Sequence, residues 1–278
     1  MDSELLAKKM RAAEFFSWPE GDTHFEHHGA FWDYQHKNRQ AFQQAVRDEA
    51  NWCQEPPMLT VDTIDTIIDI GAHAGSWTLP LSLVCKRVYA YEPVHWQTLA
   101  RNVELSEQKN IEVRPNLLSN ALGDRTVWIR SDNSGDTGID LGDGEGRQRL
   151  RLRARPLDSL AHEGHIQGIK IDVQGHELEV LQGAEQTIQR ERPLLQLEIV
   201  ANQCRKFNYR AEHMIEWLRA RDYLVCSKRD GWLAGEFTSR GTCLSHAGVV
   251  RRGDMDLFFI PREWGTKLQP GWELFHEE

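Results

Sequence analysis

Two groups of residues in this sequence have the types and spacing that chemistry needs. The first is Asp69-Ile-Gly71-Ala-His73-Ala-Gly75-Ser76, joined about twenty residues later by Tyr91-Glu92-Pro93. An acid and two glycines closing a short apolar run make a tight turn where backbone can approach a ligand, and an acid ending the next apolar run is placed to accept both hydroxyls of a ribose. The second group is Asp172, His176 and Glu198. A carboxylate or imidazole within hydrogen-bond reach of an alcohol can take its proton as general base, commonly worth ~10²- to 10⁴-fold in rate. Each has a plainer alternative: Asp172 as a cap of the following helix, His176 as a helix-surface histidine.

These residues act together only if the chain brings them to one place. Apolar runs at 64–70, 87–91, 111–113, 169–172, 193–199, 223–226 and 256–260 read as strands. Between them lie helical patterns at 76–86, at 93–105 with Trp96, Leu99, Ala100 and Val103 on one stripe, after 176 with Leu178, Leu181 and Ile188, and at 211–221. Such alternation predicts an α/β fold with a doubly wound, mostly parallel sheet, whose strand ends one, two, four and five open on one crevice. Asp69, Glu92, Asp172, His176 and Glu198 then share a rim.

A dinucleotide turn needs G-x-G-x-x-G, but His73 and Ser76 stand where the later glycines belong, so a pyrophosphate would meet side chains. S-adenosylmethionine carries no phosphate, and an acid before the first glycine can meet its positive charge. Metal is not expected: Asp172, Glu198 and Asn202 are a weak form of an acid-acid-amide set. His24, His27 and His28 read as solvated loop residues.

The chain has 278 residues, 40% hydrophobic and 27% charged, which fits one α/β domain at 61–278 with a helical extension at 1–60 and a polar insertion at 228–255. Its 33 basic and 42 acidic residues give a net charge of −9, which argues against a nucleic-acid partner. Cys53, Cys85, Cys204, Cys226 and Cys243 are odd in number and form no C-x-x-C pair, the pattern of a reducing compartment. No leader is visible and no apolar run approaches the ~18 residues of a membrane span, so a cytoplasmic protein is expected. Trp18, Trp32, Trp52 and Trp232 lie in segments that could line a groove for a flat or sugar-like ligand. Residues 126–130 and 149–155 read as a hairpin, its Gly- and Asp-rich loop failing the calcium pattern at Ser134 and Thr137. That loop is expected in solvent, with a flap near the substrate as the alternative.

Taken in order, Ile67-Ile-Asp69-Ile-Gly71-Ala-His73-Ala-Gly75, Val88-Tyr-Ala-Tyr-Glu92-Pro93, Ala121-Leu-Gly-Asp124, Ile169-Lys-Ile-Asp172-Val-Gln-Gly175-His176-Glu177 through Ala184, and Pro193 to Ile199 resemble the successive motifs of the FkbM-type S-adenosylmethionine-dependent methyltransferases. The resemblance runs over about 64–200, and its most specific part is the Lys-Ile-Asp-Val-x-Gly-x-Glu block. It implies the Rossmann-like seven-stranded class I methyltransferase sheet with the last strand antiparallel, and methyl transfer to a hydroxyl of a sugar, glycan or polyketide-like natural product. It further implies Asp69, Gly71 and Gly75 in the cofactor turn, Glu92 on the ribose, and Asn120 with Ala121 on the adenine. Gln174 stands where the family usually has Glu, and Trp77 and Pro80 replace smaller or aliphatic residues.

Two other readings compete. An RNA cap ribose methyltransferase uses a Lys-Asp-Lys-Glu tetrad, for which Asp172 and Glu198 could serve but no lysines stand out. A non-catalytic module would keep the fold without turnover. The oligomeric state stays open, a homodimer being one option.

Overall fold

The computed structural model describes Glu20 and residues 64–130, 134–139, 147–228, 254–263 and 272–274. The expected N-terminal helices, the loop histidines His24, His27 and His28, the tryptophans Trp18, Trp32, Trp52 and Trp232, and nearly all of the 228–255 insertion lie outside the described residues.

The strands of the main sheet are β1 (Thr66–Ile70), β2 (Arg87–Tyr91), β3 (Ile111–Arg114), β8 (Ile166–Ile171), β9 (Leu194–Val200), β10 (Tyr223–Lys228), β11 (Asp254–Pro261) and β12 (Trp272–Leu274). Their order is β12-β10-β11-β9-β8-β1-β2-β3. β3, β2, β1, β8 and β9 are parallel, whereas β11 runs antiparallel to both β9 and β10. This is the expected seven-stranded sheet with its last strand reversed, extended by the short strand β12 on the outer edge of β10. The order reverses direction at β1, so a crevice opens at the carboxyl ends of β1 and its neighbours.

The core explains the pattern. β1 and β8 are buried along their whole length, as strands covered on both faces must be. Ile67, Ile68, Ile169, Ile171, Leu195 and Leu197 join Leu181, Met214, Leu218 and Phe259 in one apolar cluster. At ~25 cal/mol per Å² of apolar surface buried, such side chains supply most of the stabilisation.

The helices depart from the sequence pattern in two places. The helix expected at 76–86 is a single turn, α1 (Thr78–Leu81). Beyond it Leu83 and Val84 donate to Pro80 and Leu81, three residues back, so the chain tightens and stops. α2 (Trp96–Ser106) follows β2 as expected. The helix after β8 is broken into α3 (Glu177–Gly183) and α4 (Glu185–Glu191). At the break a Cβ on Gly183 would lie 2.1 Å from the Ser119 carbonyl oxygen, so the 119–120 backbone packs directly on this glycine. α5 (Ala201–Lys206) and α6 (Ala211–Arg219) complete the set.

A second sheet of four strands, ordered β4-β7-β5-β6, is made of β4 (Leu117–Leu118), β5 (Gly123–Arg130), β6 (Gly138–Ile139) and β7 (Arg147–Arg155). β5 and β7 form the expected hairpin, with Val127 opposite Leu150. Val127, Ile139, Leu117 and Ala154 form a small apolar cluster under it. Cys85 and Cys204 are free thiols, pushed up to about 12 by burial. No helix among the described residues is long and apolar enough to cross a membrane.

Candidate functional site

A cavity of about 380 Å³ lies at the carboxyl ends of β1, β2, β8 and β9. The loop after β1 supplies Gly71, His73 and Ser76, and Glu92 and Pro93 directly follow β2. Asp172 and His176 come from the turn after β8, and Glu198 from β9. These eight predicted residues share one cavity because parallel strands end at the same level.

Gly71 is where the two halves touch. It has φ of +78°, and a Cβ there would fall 1.7 Å from the Asp172 carbonyl oxygen. Its N–H and that of Ala72 donate to Tyr91 O, and Asp172 N–H donates to Ile70 O, so all three strand ends are stitched together.

Glu92 organises the first end of the cavity. One carboxylate oxygen accepts the N–H of His73 at 2.9 Å, and the other accepts those of Val94 and His95, each at 2.9 Å. A carboxylate has about four lone-pair sites, so three are used on the fold and one is left. A side chain that the sequence did not single out, His95, faces the predicted His73 here: their rings meet edge to face at 5.3 Å. Each holds the end of the hairpin loop, His73 Nε2 at 2.6 Å from Ser134 Oγ and His95 Nε2 at 3.4 Å from Thr137 Oγ1. Among the described residues of that loop, Ser134, Gly135, Thr137, Gly138 and Ile139 therefore form part of the cavity wall rather than standing wholly in solvent. Sequence offered no signal for this beyond the loop's length.

At the other end stand Asp172 and Glu198. Asp172 Oδ2 is 3.3 Å from the Lys170 ammonium, and Asp172 Oδ1 accepts from the Gln174 amide at 3.1 Å. The same Gln174 nitrogen donates to Glu198 Oε2 at 3.0 Å. Burial alone would raise the Asp172 carboxyl, but Lys170, Glu198 and Gln174 outweigh it and hold it below the usual carboxylate range. Asp172 is thus an anion at neutral pH. Glu177 was quoted in the motif but not expected in the site. It is 1% exposed, and one carboxyl oxygen accepts the N–H groups of Val173 and Gly175 at 3.1 and 3.0 Å, which fixes the turn that carries Asp172. Burial pushes it up to about 7.

His176 lines the wall, packed on the Phe207 ring, with Nε2 at 3.0 Å from Ser119 Oγ. Burial first, then the field of Arg125, push it down to about 4, so the imidazole is neutral and its 3.5 Å contact with Glu179 is not an ion pair.

Four predicted residues fall elsewhere. Asp69 is 0% exposed below the turn, where it accepts the Thr78 hydroxyl at 2.6 Å and lies 3.5 Å from Lys170, so it is not in the cavity wall. The reading of Asp69 as a direct partner of a positive ligand is corrected: the pleat sends its side chain inward, and Lys170 already neutralises it. Gly75 faces Leu99, serving packing. Asn120 and Ala121 are exposed, Asn120 donating to Gln182, because the chain forms β4 before reaching them and places Leu117 and Leu118 at the cavity instead. Lys170, quoted in the motif but not expected in the site, lines the cavity; a Lys-Asp-Lys-Glu tetrad needs two lysines, and among the described residues no other lysine lines it. No cluster of three or more His, Cys, Asp or Glu suited to a metal occurs among the described residues.

With this geometry in view, comparison with known proteins gives the class. The Methyltransferase FkbM domain matches residues 69–225, more than half of the chain, and the chain belongs to that family. Among solved structures it is similar to Methyltransferase FkbM from Methylobacillus flagellatus KT, at 18% identity and a TM-score of 0.43 over 77% of this chain and 47% of that one. This chain thus spans about half the length of that structure. It is also similar to an rRNA methylase from Streptococcus thermophilus, at 11% identity, TM-score 0.40, over 78% and 92% of the two chains, and to M. jannaschii TYW2 solved with AdoMet, at 11% identity, TM-score 0.33, over 79% and 74%. No curated protein matches the sequence.

Proposed function

We propose that the protein is an S-adenosylmethionine-dependent O-methyltransferase acting on a hydroxyl of a sugar, glycan or small hydroxylated natural product. The observation that carries this is the placement of Glu92 and the anion Asp172 at opposite ends of one cavity on a methyltransferase-family fold. The cofactor fits the residues present: Glu92 keeps one acceptor site for a ribose hydroxyl, and Gly71, Ser76 and Pro93 border the same cavity. When bound, S-adenosylmethionine supplies a methyl group on a positively charged sulfur.

The chain's own residues do the rest. Asp172 accepts the proton of the attacking hydroxyl as the new O–C bond forms, and Glu198 beside it orients that hydroxyl or its neighbour. His176 is set aside as base, since its Nε2 is engaged by Ser119 Oγ at 3.0 Å. The walls around Asp172 and Glu198 carry more acid than base, which suits a neutral polyol better than a phosphorylated acceptor.

Calorimetric titration with S-adenosylmethionine and S-adenosylhomocysteine, with NAD as control, on wild type and Glu92→Ala tests the reading. Micromolar binding of both sulfur ligands, lost in the variant, supports it, and tight binding of NAD alone would overturn it. Radiolabelled methyl transfer onto a panel of sugars and hydroxylated metabolites then identifies the acceptor.

A further inference from the structure

Gln174 is a residue with a side chain held at φ of +58°, in the left-handed region that costs an L-residue roughly 1 kcal/mol or more. Such strain persists only where surrounding contacts enforce it, and here three do. Glu177 ties the N–H groups on either side of Gln174, those of Val173 and Gly175. Tyr209 donates its hydroxyl to Gly175 O at 2.5 Å. Gly175, at φ of +102°, lets α5 come so near that a Cβ would lie 2.8 Å from Gln203 Cβ.

The result is a side-chain amide set between two acids. Its nitrogen donates to Asp172 Oδ1 at 3.1 Å and Glu198 Oε2 at 3.0 Å, while its oxygen accepts from Gln203 Nε2 at 2.6 Å. The orientation is forced, since a flipped amide would turn its oxygen toward both carboxyls. The geometry points to Gln174 as the positioning residue of the acid pair, holding Asp172 and Glu198 side by side with Asp172 aimed at the acceptor. This rests on the proposed role of Asp172 for its catalytic meaning, but not for the clamp itself. The charged groups facing Asp172 are Lys170 on its own strand, Glu198 on β9 and Glu177 on α3, with Asp69 of β1 on the far side of Lys170.

The test uses two variants and a readout that needs no acceptor. Gln174→Gly relieves the backbone strain, so melting stays at or above the wild-type temperature while both hydrogen bonds to the acids are lost. Gln174→Glu keeps the shape but replaces the donor with a third carboxyl. The Asp172 carboxyl is followed by carbon-13 NMR against pH in the full chain, assigned with Asp172→Asn. The expected result is a titration moved upward in both variants, by about one pH unit or more, a tenfold change in proton affinity, and further for Glu than for Gly. Curves superimposable on wild type would overturn the clamp. A Gly variant that melts well below wild type would also overturn it, by making the residue structural. S-adenosylmethionine affinity measured on the same variants reads the cofactor assignment separately: wild-type protein that binds none while the titration shifts would sink the methyltransferase proposal and leave the clamp standing.

Discussion

The ammonium of Lys170 stands 3.3 Å from Asp172 Oδ2 and reaches back to within 3.5 Å of Asp69 Oδ1, with its side chain 3% exposed. One buried cation therefore neutralises an acid of the structural turn and an acid of the cavity at once. Removing it strands a buried anion, Asp69, and a partly buried one, Asp172. Lys170→Met is expected to lose ~3–5 kcal/mol in urea unfolding, the usual cost of breaking a buried pair, and Lys170→Met with Asp69→Asn to recover part of it. A single-variant loss under ~1 kcal/mol would show that the pair is not coupled in this way.

His176 and Glu177 are neighbours with opposite proton linkage. Glu177 is raised from 4.5 to about 7 in the fold, so its contribution is full at acid pH and is lost as pH rises through that interval. Glu179, also raised by burial, adds to this slope. His176 is lowered from 6.5 to about 4, so its contribution is full above 6.5 and is lost as pH falls. His162, also lowered to about 4 by burial, has the same sign as His176, so between pH 5 and 6.5 the histidine and glutamate slopes oppose each other. Relative to wild type, His176→Asn should make the slope of stability against pH more negative and Glu177→Gln should make it more positive, each by at most ~1.4 kcal/mol per pH unit and proton. Urea midpoints measured across that range check both signs, and equal slopes in the two variants would refute them.

Gly71→Ala should be far worse than Gly75→Ala. The first places a methyl on a backbone oxygen at 1.7 Å, the second near a movable Leu99 methyl at 2.8 Å, although both positions have positive φ. Expected losses are above ~3 kcal/mol for Gly71 and ~1–2 kcal/mol for Gly75, with cofactor binding abolished only in the first. Thermal melts with and without S-adenosylmethionine separate the cases.

Ser134→Ala removes the 2.6 Å contact with His73 and frees the hairpin end from the cavity rim. Melting should change little, while S-adenosylmethionine affinity falls about three- to tenfold, the worth of one hydrogen bond. Unchanged affinity would place these loop residues outside the ligand's reach.

The sheet was legible because its strands are continuous apolar runs separated by helical stripes, and eight of the predicted site residues sit at strand ends that topology alone brings together. What escaped notice depends on side-chain direction and long-range contact. Asp69 looks like a ligand residue in sequence, but the pleat turns it inward to Thr78 and Lys170. Lys170 and Gln174 lie inside the quoted motif, yet nothing in their spacing tells that one neutralises two acids and the other joins two. Asn120 and Ala121 came from the family resemblance rather than from spacing, and they lie exposed outside the cavity lining, just past the two-residue strand β4.

Both open sides of the eight-stranded sheet end in its briefest strands, β12 with three residues and β3 with four. Unpaired backbone at a long flat margin is a template on which another chain can add, and such growth leads to aggregates. Here the margins offer only a few N–H and C=O groups, while the long β11 is enclosed between β9 and β10. The consequence is colloidal: concentrated protein should resist strand-by-strand self-association, and a change that unseats Trp272–Leu274 would uncover the longer β10 and invite it.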